Sequence, residues 1–406
     1  MTPFASDVVT SGTMRRFSFL NLTYCLTFVN CGNITVENLH FGGCSTAIHF
    51  LFGANIVRSD FLVQNNYFRD HQVPPDAYNP QSGFWSRTID FSSMAVATVY
   101  NATIQHNAAN RIDAFFDTVN VGLVNLVLQA NTLHHCGGNC VIVRGENSLV
   151  DGNVFSYDQP QRMFLHGTTD IMLGPVHGST VISNNVFVRR GEYEGSPDGC
   201  GIDFEVASVG VQVLNNLFYQ PFASGVMIFG HGTTAQNFTL GGNAFVQAGC
   251  EAVRGDRAGV VFVCPGGAQP SGQLRDNVFQ TCTNGVPAIL EGQPNCSSKV
   301  LRTNNTVTAQ FPLAATPHLE VFAPPMTSTD PTVLMLTNAT SSDPLAAIRY
   351  TMDGSVPSSS SPLFPNSGLE LPWPAEVLTI NLRAFSDNRL PSVVGSAILE
   401  RWAYRP

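Results

Sequence analysis

Asp203 and Glu205 lie two residues apart in the segment Asp198-Gly199-Cys200-Gly201-Ile202-Asp203-Phe204-Glu205. If this is a strand, alternate side chains share a face: Ile202 and Phe204 point into the core, and Asp203 and Glu205 point out, about 7 Å apart. Two carboxyl groups about 5.5 to 9.5 Å apart can divide the work of glycoside hydrolysis. One protonates the leaving oxygen, and the other activates water or attacks. Aligning neighbouring segments brings Arg144 and Phe229 into the outward column of Glu205, with His231 just beyond Phe229 and Asp198 in the loop entering the strand. Arg144 could orient a substrate carboxylate or depress a neighbouring pKa. Tyr78, Phe84 and Trp85 sit in a Pro-rich insertion and offer flat apolar faces for sugar rings. Asp90, Asp113, Asp117 and Asp170 are secondary acidic candidates on neighbouring repeats.

A lyase would need different chemistry: a cation or Ca²⁺ to neutralise a uronate, and a base to take its α-proton. The chain has one lysine, Lys299, so that base would be His231, an arginine or a tyrosine. Hydrolysis calls for no cofactor. The structural alternative is that outward Asp and Glu are solvated or ion-paired, Arg144 with Glu205 for example, and that His231 caps a turn between Gly230 and Gly232.

What must position these residues is a repeat. An alternating apolar stretch leads to Asn and then an apolar or aromatic pair. It occurs at Gln64-Asn65-Asn66-Tyr67-Phe68, Asp151-Gly152-Asn153-Val154-Phe155 and Ser183-Asn184-Asn185-Val186-Phe187. It returns at Leu214-Asn215-Asn216-Leu217-Phe218, Gly241-Gly242-Asn243-Ala244-Phe245, Arg275-Asp276-Asn277-Val278-Phe279 and Thr303-Asn304-Asn305-Thr306-Val307. Val36-Glu37-Asn38-Leu39 opens the series, with looser copies at Asn107 and Asn131. Most successive copies are 22 to 34 residues apart, with one gap of 41 before Asn107. This is the pattern of a right-handed parallel β-helix of about ten coils. Stacked coils put equivalent residues ~4.8 Å apart. An amide carries both donor and acceptor, so Asn can form a ladder between coils, and Asn also tolerates the left-handed backbone of a sharp corner. The Phe, Val or Leu that follows points inward, and one coil buries its apolar face only against the next.

Composition agrees. Charged residues are 12% of the 406, roughly half the ~25% of an ordinary soluble domain, while hydrophobic residues are 44%. That excludes a disordered chain. No run approaches the ~18 apolar residues of a membrane helix. A net charge of −9 argues against nucleic acid, which requires a basic surface. Met14-Arg15-Arg16 and the apolar residues after it imitate a signal peptide, but the pattern recurs downstream and reads as a strand. The targeting segment is therefore expected to be truncated or removed. Of ten cysteines, Cys31 with Cys44, Cys136 with Cys140, and Cys282 with Cys296 are candidate disulfides by proximity in sequence. Seven Asn-x-Ser/Thr sequons, at Asn21, Asn33, Asn101, Asn237, Asn295, Asn304 and Asn338, lend weak support to secretion.

After Phe311 the Asn pattern stops, so residues 1–311 are expected to form the β-helix and 318–406 a small β-sandwich. Ile348 to Pro357, Ser361-Pro362-Leu363-Phe364 and Leu382-Arg383-Ala384-Phe385 resemble the chitobiase/β-hexosaminidase C-terminal type domain, an immunoglobulin-like accessory module. The resemblance implies a carbohydrate context. The first ~310 residues look like the pectate-lyase-like superfamily, within which Asp198 to Glu205 is similar to a segment of secreted β-helix proteins with no established catalytic set. Gly230-His231-Gly232 matches one polygalacturonase element, but the other elements of that family are missing, as is the Trp-x-Asp-His of pectate lyases. The expectation is an extracellular or cell-surface monomer that binds a polysaccharide and cleaves it as a glycoside hydrolase or lyase. The alternative is a non-catalytic glycan-binding or adhesion protein.

Overall fold

The structure is a computed structural model. It describes residues 12–15, 18–20, 22–71, 86–157, 169–189, 199–229, 235–250, 257–264, 267–309, 313–322, 334–343, 345–372, 377–387 and 389–400. The chain is all-β in these residues: a right-handed parallel β-helix followed by two small antiparallel sheets. No helix among them is long and apolar enough to cross a membrane.

Each coil contributes to three rows of strands. The first row runs Tyr24–Val29, Thr46–Phe52, the start of Arg87–Gln105, the start of Ala114–Val124, Val141–Glu146, Ile171–His177, Ile202–Phe204, Ser224–Phe229, Ala258–Val263 and Ile289–Glu291. The second row starts at Gly12–Arg15 and ends at Lys299–Thr303. The third has eleven short strands, from Ser18–Leu20 to Thr306–Thr308, so the opening segment is a strand of the first coil, as its recurrence implied.

The expected Asn ladder runs through nine asparagines: Asn66, Asn107, Asn131, Asn153, Asn185, Asn216, Asn243, Asn277 and Asn305. Each Nδ2 before the last donates to the Oδ1 of the next coil at 2.9 to 3.1 Å. Each backbone N–H before the last donates to that same oxygen. The second Nδ2 hydrogen reaches a carbonyl on the coil before. The left-handed corner belongs to a different residue, the one before each ladder Asn. There Asn38, Asn65, His106, Ala130, Asn184, Asn215, Asp276 and Asn304 hold φ between 50° and 60°, with Gly152 and Gly242 in the same seat. Asn38 is thus a corner residue, and the ladder position of its coil is Leu39, whose N–H donates to Asn66 Oδ1.

Two residues after the ladder, Phe155, Phe187, Phe218, Phe245 and Phe279 stack with centroids 4.7 to 5.0 Å apart and planes within 8°. The facing strands make room for them. A Cβ at Gly201, Gly225 or Gly259 would fall 2.4 to 2.7 Å from Phe218, Phe245 or Phe279.

Disulfides join Cys25–Cys44, Cys136–Cys140, Cys250–Cys282 and Cys264–Cys296, and Cys31 and Cys200 are buried. Two of the three expected pairs, Cys31 with Cys44 and Cys282 with Cys296, are therefore wrong. Stacking makes a residue about one coil away nearer in space than a closer neighbour in sequence, and both late bridges span 32 residues.

The C-terminal sheets are His318–Phe322, Leu334–Thr340, Leu369–Pro372 and Ala347–Thr351, Val377–Phe385, Gly395–Glu400. Residues of both share a core around Phe364, Leu371, Ile380 and Leu382. This unit packs on the outside of the third row, where Val393 and Val394 meet Val154, Val186, Leu217 and Val246. The Asp353-Gly354 turn is the tight point. The Gly354 carbonyl accepts from Thr132 Oγ1 and Asn381 Nδ2, and His106 Nδ1 donates to the Asp353 carbonyl. Gly354 has φ +81°, and a Cβ there would lie 2.5 Å from the Ala130 carbonyl oxygen. Gly354→Ala combines a left-handed backbone with a backbone clash. It should cost about 1–3 kcal/mol and loosen the docked unit, measured as a lower Tm and faster proteolysis between residues 309 and 318.

Candidate active site

In the first row, register brings together residues far apart in sequence. His49 pairs with Asp90, and Asp90 with Asp117, on three consecutive coils. Their neighbours Ile48, Phe50, Ile89, Phe91 and Phe116 are fully buried. Strand alternation therefore turns His49, Asp90 and Asp117 outward, about 4.8 Å apart per coil.

Two arginines join them. Arg87 Nε lies 2.8 Å from Asp117 Oδ2, and Arg87 Nη1 lies 3.9 Å from Asp90 Oδ1. Arg144 Nη1 lies 3.6 Å from Asp117 Oδ1 and donates to the Thr118 carbonyl. His49 Nε2 shares a 2.7 Å hydrogen bond with Ser92 Oγ and lies 3.5 Å from Asp90 Oδ2. Tyr24, 54% exposed, stacks on the His49 ring at 5.3 Å. Asp90 is 5% exposed, and its buried Oδ1 accepts no hydrogen bond from the described residues.

The two carboxyl groups have different surroundings. Burial pushes the Asp90 carboxyl up to about 6; Arg87 opposes this, Asp117 adds to it, and the Ser92 hydroxyl opposes it. Asp117 meets two guanidinium groups. Burial, then the charge of Arg87, holds the His49 imidazole below its usual range. Paired carboxyl groups with divergent environments are the arrangement that separates an acid from a base.

The other expected residues are dispersed. Asp203 shares the outward row of Asp117 three coils further on, between Met172 and Met227 in register, and is 3% exposed. Glu205 is half-buried just past the strand Ile202–Phe204. Arg144, Glu205 and Phe229 each follow one of the in-register residues Val143, Phe204 and Ile228, so they do fall in one column. Arg144 turns to Asp117 on the preceding coil, and Phe229 packs beside Met227 and Val261. Asp113 and Asp170 are buried, Asp113 Oδ2 accepting from the Ser86 N–H and Asp170 Oδ1 from the Tyr157 hydroxyl at 3.5 Å. Tyr78, Trp85, Asp198 and His231 lie outside the described residues.

Sequence reasoning ranked Asp90 and Asp117 below Asp203 and did not reach His49 or Arg87. A signal was present. Ile48-His49-Phe50, Ile89-Asp90-Phe91 and Ile202-Asp203-Phe204 are the same tripeptide pattern, and the middle residue is the outward one each time.

Residues 82–245 match the family described as "Right handed beta helix region". No curated protein matches the chain. Among solved structures it is similar to a variant of the catalytic domain of GH87 alpha-1,3-glucanase, in complexes with tetrasaccharides and with nigerose. Identities are 11% and 10%, TM-scores 0.31 and 0.32, and the alignments cover 73% of this chain. They cover 63% and 64% of the glucanase chains, just under two thirds of their length. It is also similar to the siphovirus 9NA tailspike receptor binding domain, at 10% identity and TM-score 0.17, covering 96% of this chain and 86% of that one.

Asp170 yields a prediction of its own, because complete burial raises its carboxyl pKa well above the ordinary value. Its contribution is fully present below the unfolded carboxylate pKa, near 4, and is lost as pH rises, since the unfolded chain ionises first. Asp170→Asn should therefore raise Tm at pH 8 and change it little at pH 4, measured by thermal denaturation at both.

Proposed function

We propose that the protein is a carbohydrate-active enzyme that hydrolyses a polysaccharide over the outward face of the first row, with Asp90 and Asp117 as the reacting pair. The observation that carries this reading is the in-register stack His49–Asp90–Asp117 with its two arginines. Asp90, protonated below about pH 6, is suited to give its proton to the glycosidic oxygen as the anomeric C–O bond breaks. Asp117, one coil from Asp90, would attack the anomeric carbon as the departing oxygen leaves with the Asp90 proton; Asp90, now a carboxylate, would then take a proton from the water whose oxygen displaces Asp117 from that carbon. Arg87 and Arg144 orient Asp117.

Hydrolysis is favoured over β-elimination because both arginines near the pair are engaged by Asp117, leaving neither for a uronate. The net charge of −9 also suits a neutral glycan. Hydrolysis of this kind calls for no metal or cofactor. Four disulfides fit an oxidising, extracellular setting. We read the C-terminal sheets as the accessory module that their motifs resemble.

Asp203 and Glu205, expected from the sequence as an outward pair and three coils from Asp117, are the competing candidates. A binding-only protein is the other reading, favoured by the near-complete burial of Asp90 and Asp117. Turnover on a panel of neutral polysaccharides separates these possibilities. Asp90→Asn and Asp117→Asn should each lower kcat roughly 10²- to 10⁴-fold, with Asp203→Asn and Glu205→Gln much milder. The opposite ranking would move the centre to Asp203 and Glu205, and glycan binding without product would leave a lectin. In the active enzyme, kcat/KM should fall as pH rises through about 6, the Asp90 value, and Asp90→Asn should abolish that limb.

A further inference from the structure

Three of the sequons fall on one structural seat. Asn33, Asn101 and Asn237 occupy the corner between the first and second rows, each with a left-handed backbone at φ 54° to 58°, and all three are exposed. The residue after each, Ile34, Ala102 or Phe238, is 1% exposed and points into the core. Strand alternation turns the next one, Thr35, Thr103 or Thr239, outward again. These threonines share one register column with Leu62, Val127, Leu149, Val181 and Gln212. Two coils separate Asn33 from Asn101 and five separate Asn101 from Asn237, about 10 and 24 Å along the rod. Asn125 and Asn147 hold the same corner seat and are also exposed, but Val127 and Leu149 stand where the threonine would be. Asn295 is built differently. Its partner Ser297 is 5% exposed and donates its hydroxyl to Glu291 Oε1, and Cys296 between them is bridged to Cys264.

We infer that Asn33, Asn101 and Asn237 carry N-linked glycans, which form a ridge along the edge between the first and second rows. The inference goes beyond the hydrolytic reading and does not depend on it. Each acceptor is an Asn-x-Thr whose amide and hydroxyl side chains both face outward, and a glycan, being bulky, needs such a surface seat. In the transfer, Nδ2 bonds to the anomeric carbon of an oligosaccharide carried on a lipid pyrophosphate. That carbon's bond to the pyrophosphate oxygen breaks, the lipid pyrophosphate departs, and the amide gives up one proton. Asn101 Nδ2 donates one hydrogen to Asp60 Oδ1 and has the second for replacement. The four disulfides fit the oxidising compartment in which such a transfer takes place.

The test is peptide mapping of the full chain, secreted from a eukaryotic cell, after enzymatic release of N-glycans converts each modified Asn to Asp. Conversion at Asn33, Asn101 and Asn237, with Asn125, Asn147 and Asn295 unchanged, supports the inference. A secreted protein unmodified at the three corner sites overturns it, whether or not Asn295 is converted. Thr103→Val removes the hydroxyl, keeps the corner Asn and introduces the residue that the next coil already carries as Val127, so it should remove one glycan and leave the folded protein secreted. Val127→Thr should add one glycan at Asn125. Secretion of that variant without the added glycan would show that the corner does not admit the transfer, and the inference fails. Turnover of a polysaccharide, present or absent, changes none of these outcomes.

Discussion

Everything in this molecule depends on keeping successive coils in register at one strand spacing, and the buried asparagine amide is what enforces it. Each amide between the two ends of the ladder accepts two hydrogen bonds and donates two, and eight of the nine are almost completely buried. A slip of one residue would leave these groups without partners in an apolar interior, where an unmade hydrogen bond is costly. The phenylalanine stack two residues on reinforces the same register, since three of its rings, Phe218, Phe245 and Phe279, lie against glycines of the facing row. Few surface charges are needed to specify such a fold, which accounts for a chain with only 12% charged residues.

Register also makes the candidate site. His49, Asp90 and Asp117 are 41 and 27 residues apart, and no local motif connects them. Stacking turns that distance into neighbouring seats on a flat sheet. Arg87 and Arg144 then reach across coils, so one carboxylate is doubly paired and its neighbour is left to burial. The asymmetry comes from which seats carry arginine, not from any special backbone geometry.

The coil count, the inward phenylalanines, the Asn ladder and the break in pattern near residue 311 were legible because each repeats, and repetition is visible in one sequence. The division of labour within Asn65-Asn66 or Asn215-Asn216 was not, since two identical residues side by side do two jobs. Disulfide pairing was hidden because proximity depends on coil length. The site was only partly legible. Asp90 was in view, but the coil carrying it has four residues, Ser93 to Val96, between the rows where the next has one, Asn120. Counting back from the ladder therefore loses the seat. The Ile-x-Phe pattern, set by local alternation, is immune to that insertion.

The ladder has a direction, and so does the damage from losing a rung. From Asn66 to Asn277, the backbone N–H of the ladder Asn and one of its Nδ2 hydrogens point to the side-chain oxygen of the next ladder Asn, never the reverse. Removing the Asn216 amide would strand two buried donors on Asn185 and one carbonyl acceptor, Ile182, both on the N-terminal side. On the C-terminal side it would only leave the Asn243 oxygen under-used. Orphaned N–H groups are tolerated less well than idle acceptors. The rod therefore fails as a zip does, opening from a defect toward its N-terminus, which is the end where His49, Asp90 and Asp117 sit.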